Sequence, residues 1–444
     1  MRRGERSGVA WAAGVGALAI LLASLGLAQV TYHAAAATPK ATITLWYPAG
    51  QITAGAAHFS DKTLFAEFET KNNVKVEAVA VDYDTMIQKI FAAAAAKTSP
   101  DILFVDQSWL PGFLKEEMLE PVADANAKKW LASVSPEIVE LSDYGKGRMW
   151  GYPQYGIDVY GLTWNKDHFR EAGLDPEKPP KTWDEFREYA KKLTKRDAQG
   201  NITRVGYAIR HTGHPHGVVH KHLWAIWGSG ADLIDAPLSL RGGKSLINND
   251  GGRASLKLVQ DMLAVDKSTS LSFPDPRAAF LKGIASMQIS ETVSIRARQP
   301  KEAPELKWGV ALPPVRKAGD KPVTNLNAWM YVVPKGAKNT ALAWQAIEWV
   351  NSEAKDYELC KKYDATPRYK ANWDKEPFKS DPYGQALKGM YPYGRKYPIN
   401  LGLNGIMDAA GGAIQKVWHN EATIEQALAD AERLANKAIA DAAK

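Results

Sequence analysis

Apolar residues along this chain recur with two periods. From Ala41 the run ATITLWY alternates as a half-buried strand does, and VKVEAVAV and DILFVD read as two further strands. Between these runs Leu64, Phe65 and Phe68, and then Ile87, Ile90 and Phe91 within 86–96, share single helical faces. Strands alternating with helices predict an α/β lobe with a largely parallel sheet, whose ligands sit beyond the carboxyl ends of the strands. Trp46 and Asp106 stand at two of those ends.

A change of pattern comes at 146–185. The glycine and aromatic run GRMWGYPQYG leads into an apolar, β-branched segment, 159–164, that stops at Asn165. A proline-punctuated loop follows, and then a T-x-x-E box, Thr182 and Glu185, opens a helix with Trp183, Phe186 and Leu193 on one face. This order predicts a crossing into a second lobe. There the sequence suggests a strand VGYAIR, a histidine-rich stretch, a helix HKHLWAIWGSG, a helix with Leu256, Val259 and Leu263, a strand ending in ISETVS, and a strand WGVALPPV. The loop RKAGDKP looks like the return crossing, with NLNAWMYVVP as a strand back in the first lobe and TALAWQAIEWVNSEA as its helix. A T-x-x-Q box, Thr423 and Gln426, starts a last helix that carries Ile424, Ala427, Leu428 and Leu434. No internal repeat is visible.

Length agrees with two lobes, since 444 residues exceed what one hydrophobic core usually serves. The net charge of +7 is spread along the chain rather than clustered, which argues against a nucleic-acid partner. A single cysteine, Cys360, rules out an internal disulfide and any cysteine-rich metal site, and its place on an apolar helical face suggests a buried thiol. Fifteen tryptophans and seventeen tyrosines supply faces that could stack on a ligand. At the amino terminus Arg2, Arg3 and Arg6 precede an apolar run, and Ala35, Ala36 and Ala37 precede Pro39. This predicts a signal peptide over 1–37 and a periplasmic or extracytoplasmic protein. The apolar run also approaches the span of a bilayer, so retention as an anchor is the competing outcome.

Taken in order, the pieces ITLWY, SPDILFVDQSWLPGFLKEEMLEPV, GYPQYGIDVYGLTWNKDHFREAGL with KTWDEF, AAFLKGIASMQIS, WGVALPPV and NAWMYVVPKGAKNTALAWQAIEWV resemble the family 1 extracellular solute-binding proteins of ABC transporters, the group that includes the maltose-binding proteins. The resemblance implies an α/β, two-lobed type II periplasmic-binding fold, each lobe a mixed sheet flanked by helices, joined by a hinge with several crossovers. Lobe I is expected over 41–154 plus 315–367, and lobe II over 155–314 plus 368–444. It also implies a non-catalytic monomer that takes a mono- or oligosaccharide and hands it to a membrane permease, with no cofactor, no metal and no nucleic acid. Glycerol phosphate or another polyol-like solute is the alternative cargo.

Carried over motif by motif, the resemblance points to Trp46, Tyr47, Asp106, Gln107, Ser108 and Trp109 in the first lobe and to Gln154, Tyr155 and Asp158 at the crossing. Glu291 and Thr292, with Ser294, follow in the strand end ISETVS, where many relatives carry an aromatic. Asn325, Asn327 and Trp329 come from the return strand, and Arg368 and Asp408 complete the set. Carboxylates and amides accept from sugar hydroxyls while indoles stack on ring faces. Asp106 could instead cap a helix, Arg368 could serve a salt bridge, and Tyr152 and Tyr160 could be hinge and core packing.

Two other functions fit parts of the pattern. A secreted carbohydrate-active enzyme would use two of Asp106, Asp158 and Glu291 as acid and base. A zinc carrier would use His211, His214, His216, His220 and His222, though no cysteine and few carboxylates stand near them. The order of motifs favours a binding protein over both. Mass spectrometry of the exported protein is expected to find an amino terminus near Thr38, whereas a retained Met1 would establish the anchor.

Overall fold

The computed structural model describes residues 38–49, 58–144, 148–273 and 275–444. The expected signal segment lies outside the described residues. From Pro39 onward the chain is one compact unit containing two mixed sheets, each flanked by helices.

The first sheet is built from β1 (Ala41–Ala49), β2 (Val74–Asp82), β3 (Ile102–Asp106), β4 (Leu119–Glu120) and β5 (Tyr152–Pro153). The second takes β6 (Asp158–Asn165), β7 (Lys195–Arg196), β8 (Ile202–Ala208), β9 (Ala285–Glu291), β10 (Trp308–Ala311) and β11 (Thr324–Asn327). β12 (Trp329–Pro334) returns to the first sheet, and β13 (Gly394–Arg395) joins the second. Spatial order is β2-β1-β3-β12-β4 in one sheet, with β5 also on β12, and β13-β11-β6-β9-β8-β7 in the other, with β10 also on β6. β1 is parallel to both β2 and β3, while β12 runs antiparallel to β3.

The expected strand NLNAWMYVVP is therefore divided. Its first half pairs with β6 and its second half with β3, and only Ala328 lies between them. The return crossing occurs inside that run, not in the loop RKAGDKP, because β10 is still paired with β6. Five residues after β5 leaves the first sheet, β6 opens the second, so two crossings run side by side in opposite directions. Gln154 N–H donates to Trp329 O at 2.8 Å and holds them together.

Local chemistry explains the elements. Asn165 ends β6 because its side chain accepts from the backbone of Asp167 and His168 and starts the next helix. Thr182 caps the helix Trp183–Leu193 through Glu185 N–H, while Glu185 reaches back to Lys181 N–H rather than to Thr182. The box at Thr423 and Gln426 is complete in both directions. Trp183, Phe186 and Leu193 are buried as expected, whereas Leu434 on the last helix is 42% exposed. The expected helix HKHLWAIWGSG is two short helices, Pro215–His220 and Leu223–Gly228, that break at Lys221 and His222. The helix Thr292–Glu302 carries little apolar periodicity and was not anticipated from the pattern.

The first core closes around a buried aromatic set in which His58 stands between Tyr155 and Tyr331, at 2.8 Å from each hydroxyl. Beside it Arg368 is fully buried, with Nε 2.8 Å from Asp356 Oδ1 and Nη1 donating to Pro153 O at 2.6 Å. Cys360 is buried, and burial pushes its thiol well above the ordinary range. Removing the partner of a buried guanidinium leaves an uncompensated charge. Asp356→Ala is thus expected to lower unfolding free energy by about 3–5 kcal/mol in urea titration, and a loss under 1 kcal/mol would mean that the pair is not structurally required.

Candidate functional site

A cavity of about 200 Å³ lies where strand ends of both sheets meet. Asp82 and Tyr83 reach it from the end of β2 and the start of the next helix, and Asp106 from the end of β3. Asp158 and Tyr160 come from β6, Glu291 from the end of β9, and Asn327 and Trp329 from either side of the return crossing. His220 and Lys221 enter at the break between the two short helices, and Arg210 and Arg277 complete the basic side. A Cβ at Gly217 would stand 2.6 Å from Arg210 Cζ, so glycine there lets the guanidinium lie across the start of its helix.

Glu291, Lys221 and Arg277 form a buried charged cluster. Glu291 Oε1 accepts from Lys221 Nζ at 2.7 Å and from the Tyr160 hydroxyl at 3.0 Å, and Oε2 is 3.6 Å from Arg277 Nη1. Burial alone would raise the Glu291 carboxyl, but the Lys221 and Arg277 charges outweigh it and hold the group well below the usual carboxylate range. Burial brings Lys221 down to about 8, with Glu291 opposing the fall and Arg277 and Arg210 adding to it. Charges this deep are maintained only because they are paired.

Asp158 sits differently. It is 3% exposed, its Oδ2 has no hydrogen-bond partner, and burial followed by the Glu291 and Asp106 charges pushes its carboxyl well above the ordinary value. Burial also raises Asp106, against hydrogen bonds from Ser108 and Asn327. Asp106 both caps its turn, accepting from Ser108 N at 2.8 Å and Ser108 Oγ at 2.7 Å, and lines the cavity. Asn327 Oδ1, Trp329 Nε1 and His220 Nε2 are likewise buried without partners. Trp329 lies nearly parallel to Phe104, with ring centroids 5.5 Å apart. His220 stacks on Tyr397, and burial with the His216 and Lys221 charges keeps it well below the usual imidazole range, hence neutral.

Of the residues anticipated from the sequence, Asp106, Asp158, Glu291, Asn327 and Trp329 line this cavity. Gln107, Ser108 and Trp109 are buried in the turn behind Asp106, where Gln107 Nε2 donates to Leu141 O. Gln154 and Tyr155 face the first core and the hinge. Thr292 and Asn325 are buried beside the cavity, Asn325 Nδ2 donating to His220 O. Trp46 and Tyr47 fall short because β1 continues to Ala49, which does line the cavity. Arg368 is a core residue of the first lobe, and Asp408 lies outside the cavity, 3.2 Å from His216 Nε2.

The histidines divide by role. His214 Nδ1 accepts from His216 N–H at the helix start, His222 pairs with Ser255 O, and His211 with His419. His214, His216 and Asp408 alone among the described residues bring possible metal-ligand atoms within 4.8 Å of one another. Arg210, Lys221, Arg277 and Tyr83 were not anticipated as site residues, and His220 was considered only within the histidine cluster. Their one signal in the sequence is the density of charge around two helix starts that also carry histidines and prolines.

A family model for bacterial extracellular solute-binding proteins matches residues 57–356. The chain belongs to that family. Among solved structures it is similar to an ABC transporter solute-binding protein from Thermotoga lettingae bound to α-D-tagatose, with 25% identity, 90% of this chain and 99% of that one covered, and a TM-score of 0.77. It is also similar to a binding protein with mannotriose bound, with 28% identity, 89% and 100% covered, and a TM-score of 0.73. A protein of Deinococcus radiodurans described as a probable ABC transporter-binding protein is 24% identical over 366 residues, spanning 79% of this chain and 82% of that one. The two sheets with paired crossings are the two-lobed fold of these solute-binding proteins.

Glu291 tests the charge cluster. Glu291→Gln leaves Lys221 buried without its counter-charge and takes one of two carboxylates from Arg277, whose Nε stays 3.6 Å from Asp275 Oδ1, and is expected to cost about 3–5 kcal/mol in urea titration at pH 7. Because the folded-state carboxyl is depressed, its contribution is present above the unfolded value of about 4.3 and is lost as pH falls below it. The gap between wild type and variant should narrow below that pH, and a gap independent of pH would show that the cost is not electrostatic.

Proposed function

We propose that this chain is the extracytoplasmic binding subunit of an ABC importer, that it captures a mono- or oligosaccharide in the cavity between its sheets, and that closure about the paired crossings presents the ligand to a membrane permease. The observation that carries this reading is the group of buried polar atoms without partners, Asp158 Oδ2, Asn327 Oδ1, His220 Nε2 and Trp329 Nε1, beside an indole ring. Such atoms are costly when dry, and a polyhydroxylated ligand satisfies acceptors and donors alike while its C–H face covers the ring. The tagatose and mannotriose held by the solved relatives support the same class of cargo.

Of the expected bounds, lobe I as 41–154 plus 315–367 and lobe II as 155–314 plus 368–444, we move 315–327 to lobe II, since Val315 bridges to Thr182 and β11 pairs with β6, and Arg368 to lobe I, with the ligand touching both. No catalytic step is assigned. Glu291 is committed to Lys221, Tyr160 and Arg277, which leaves it no proton to give a leaving group. The protein is expected to act as a monomer in the periplasm or another extracytoplasmic space.

Thermal-shift screening of a sugar and polyol library, followed by isothermal titration, tests the assignment. At least one carbohydrate is expected to raise the melting temperature, and stabilisation only by non-carbohydrate solutes would overturn the reading. Asp158→Ala and Trp329→Ala are each expected to weaken the hit by about tenfold or more, as loss of hydrogen bonds to a charged or buried group predicts. Unchanged affinity in Asp158→Ala would move that residue from ligand contact to hinge.

A further inference from the structure

Four carboxylates, Asp82, Asp84, Asp106 and Asp158, reach the cavity from β2, the helix that follows it, β3 and β6. Among the described residues none of them has a lysine, arginine or histidine nitrogen within ion-pairing distance. Across the cavity Lys221 and Arg277 are already held by Glu291. Arg210, on the same side, has no carboxylate within ion-pairing distance among the described residues, so an acidic side faces a basic side across the cavity.

The acidic side centres on Asn327. Asp158 stands directly opposite it in the β6–β11 register, and its side-chain amide donates to Asp106 Oδ2 at 2.9 Å. Two buried carboxylates therefore converge from the two sides of one asparagine, and Asp158 Oδ2 has no partner of its own. A sugar hydroxyl can donate to such an oxygen but brings no charge to hold the carboxyl ionised against its burial. An ammonium brings up to three donors and the missing positive charge together. The ammonium belongs on this side and not the opposite one, where Lys221, Arg277 and Arg210 stand.

We propose that the cavity takes a monosaccharide, or one unit of a saccharide, carrying a free protonated amine, with the ammonium between Asp106 and Asp158 and the ring against Trp329. This rests on the carbohydrate reading given above. It adds that the preferred sugar is cationic, and it makes Asp158 the residue that sets that preference.

Titration calorimetry on the mature chain provides the test, with D-glucosamine, D-galactosamine and D-mannosamine compared with their parent hexoses and their N-acetyl derivatives. At least one amine is expected to bind about tenfold more tightly than both its parent hexose and its acetylated form, as a charge-assisted contact predicts. Asp158→Asn, with folding checked by its apo melting curve, is expected to remove most of that advantage. The wild-type comparison of amine with N-acetyl form stands even where the variant does not fold. If the parent or acetylated sugars bind as tightly as the amines, or the amines do not bind while neutral sugars do, the proposal fails and the carbohydrate reading survives. If no carbohydrate of any kind binds, both fall together.

Discussion

The structure depends on two strand crossings that run antiparallel and touch. One carries the chain from Pro153 to Asp158 out of the first sheet, and the other carries it from Asn327 to Trp329 back into it. Gln154 N–H to Trp329 O at 2.8 Å and Gln107 N–H to Ala328 O at 3.0 Å tie these segments to each other and to the turn that holds Asp106. With the later passage of the chain from the first core to β13, these residues connect the two sheets, the usual construction of a hinge. The same residues form part of the cavity, so hinge and site share one piece of chain. Arg368 explains how that piece stays in place: its guanidinium, paired with Asp356, holds Pro153 O from within the first core.

Burial of charge gives the two sides of the cavity different roles. In the second lobe Glu291 pairs with Lys221 and Arg277, and the cost of desolvation is offset inside the protein. At the crossing Asp158 has no such offset, and the repulsion from Glu291 and Asp106 adds to its burial. A carboxyl in that position binds a proton or awaits a donor from outside. The first lobe and crossing therefore supply unmet acceptors, and the second lobe supplies an ordered framework that keeps them dry.

Much of the fold was legible because its strands and caps are written locally. Alternation marked β1 and short apolar runs marked β2 and β3, Asn165 and Thr182 stopped and started elements by hydrogen bonds within three residues, and the box at Thr423 was complete. What local pattern does not carry is pairing. Nothing in NLNAWMYVVP indicates that Asn327 and Trp329 belong to different sheets, since the division depends on which strands lie alongside. The same limit governs the site. Asp106, Asp158, Glu291, Asn327 and Trp329 stand at or next to strand ends, where a sequence argument can find them. Lys221 and Arg210 reach the cavity through long side chains from a helix break and a loop, and Trp46 and Tyr47 lose their place because β1 runs on to Ala49. Arg368 read as a candidate contact because its partner Asp356, twelve residues earlier, is recognisable only once both are buried together.

Closure on a ligand requires that the ligand distinguish closed from open, since equal affinity for both states shifts nothing. In this chain the discriminating groups are divided between the lobes. Asp82, Tyr83 and Asp106 belong to elements around the first sheet, His220, Lys221 and Arg277 to elements around the second, and Asp158, Asn327 and Trp329 to the crossings themselves. A solute that touched one wall alone would gain the same contacts whether the lobes were apart or together. A solute long enough to meet the acidic wall and the histidine and lysine at the helix break gains contacts only when both are near. The unpartnered Asp158 Oδ2 and Asn327 Oδ1 belong to the crossings, so on the proposed reading a ligand held there meets them from either wall, and the opposing wall is left to distinguish closed from open.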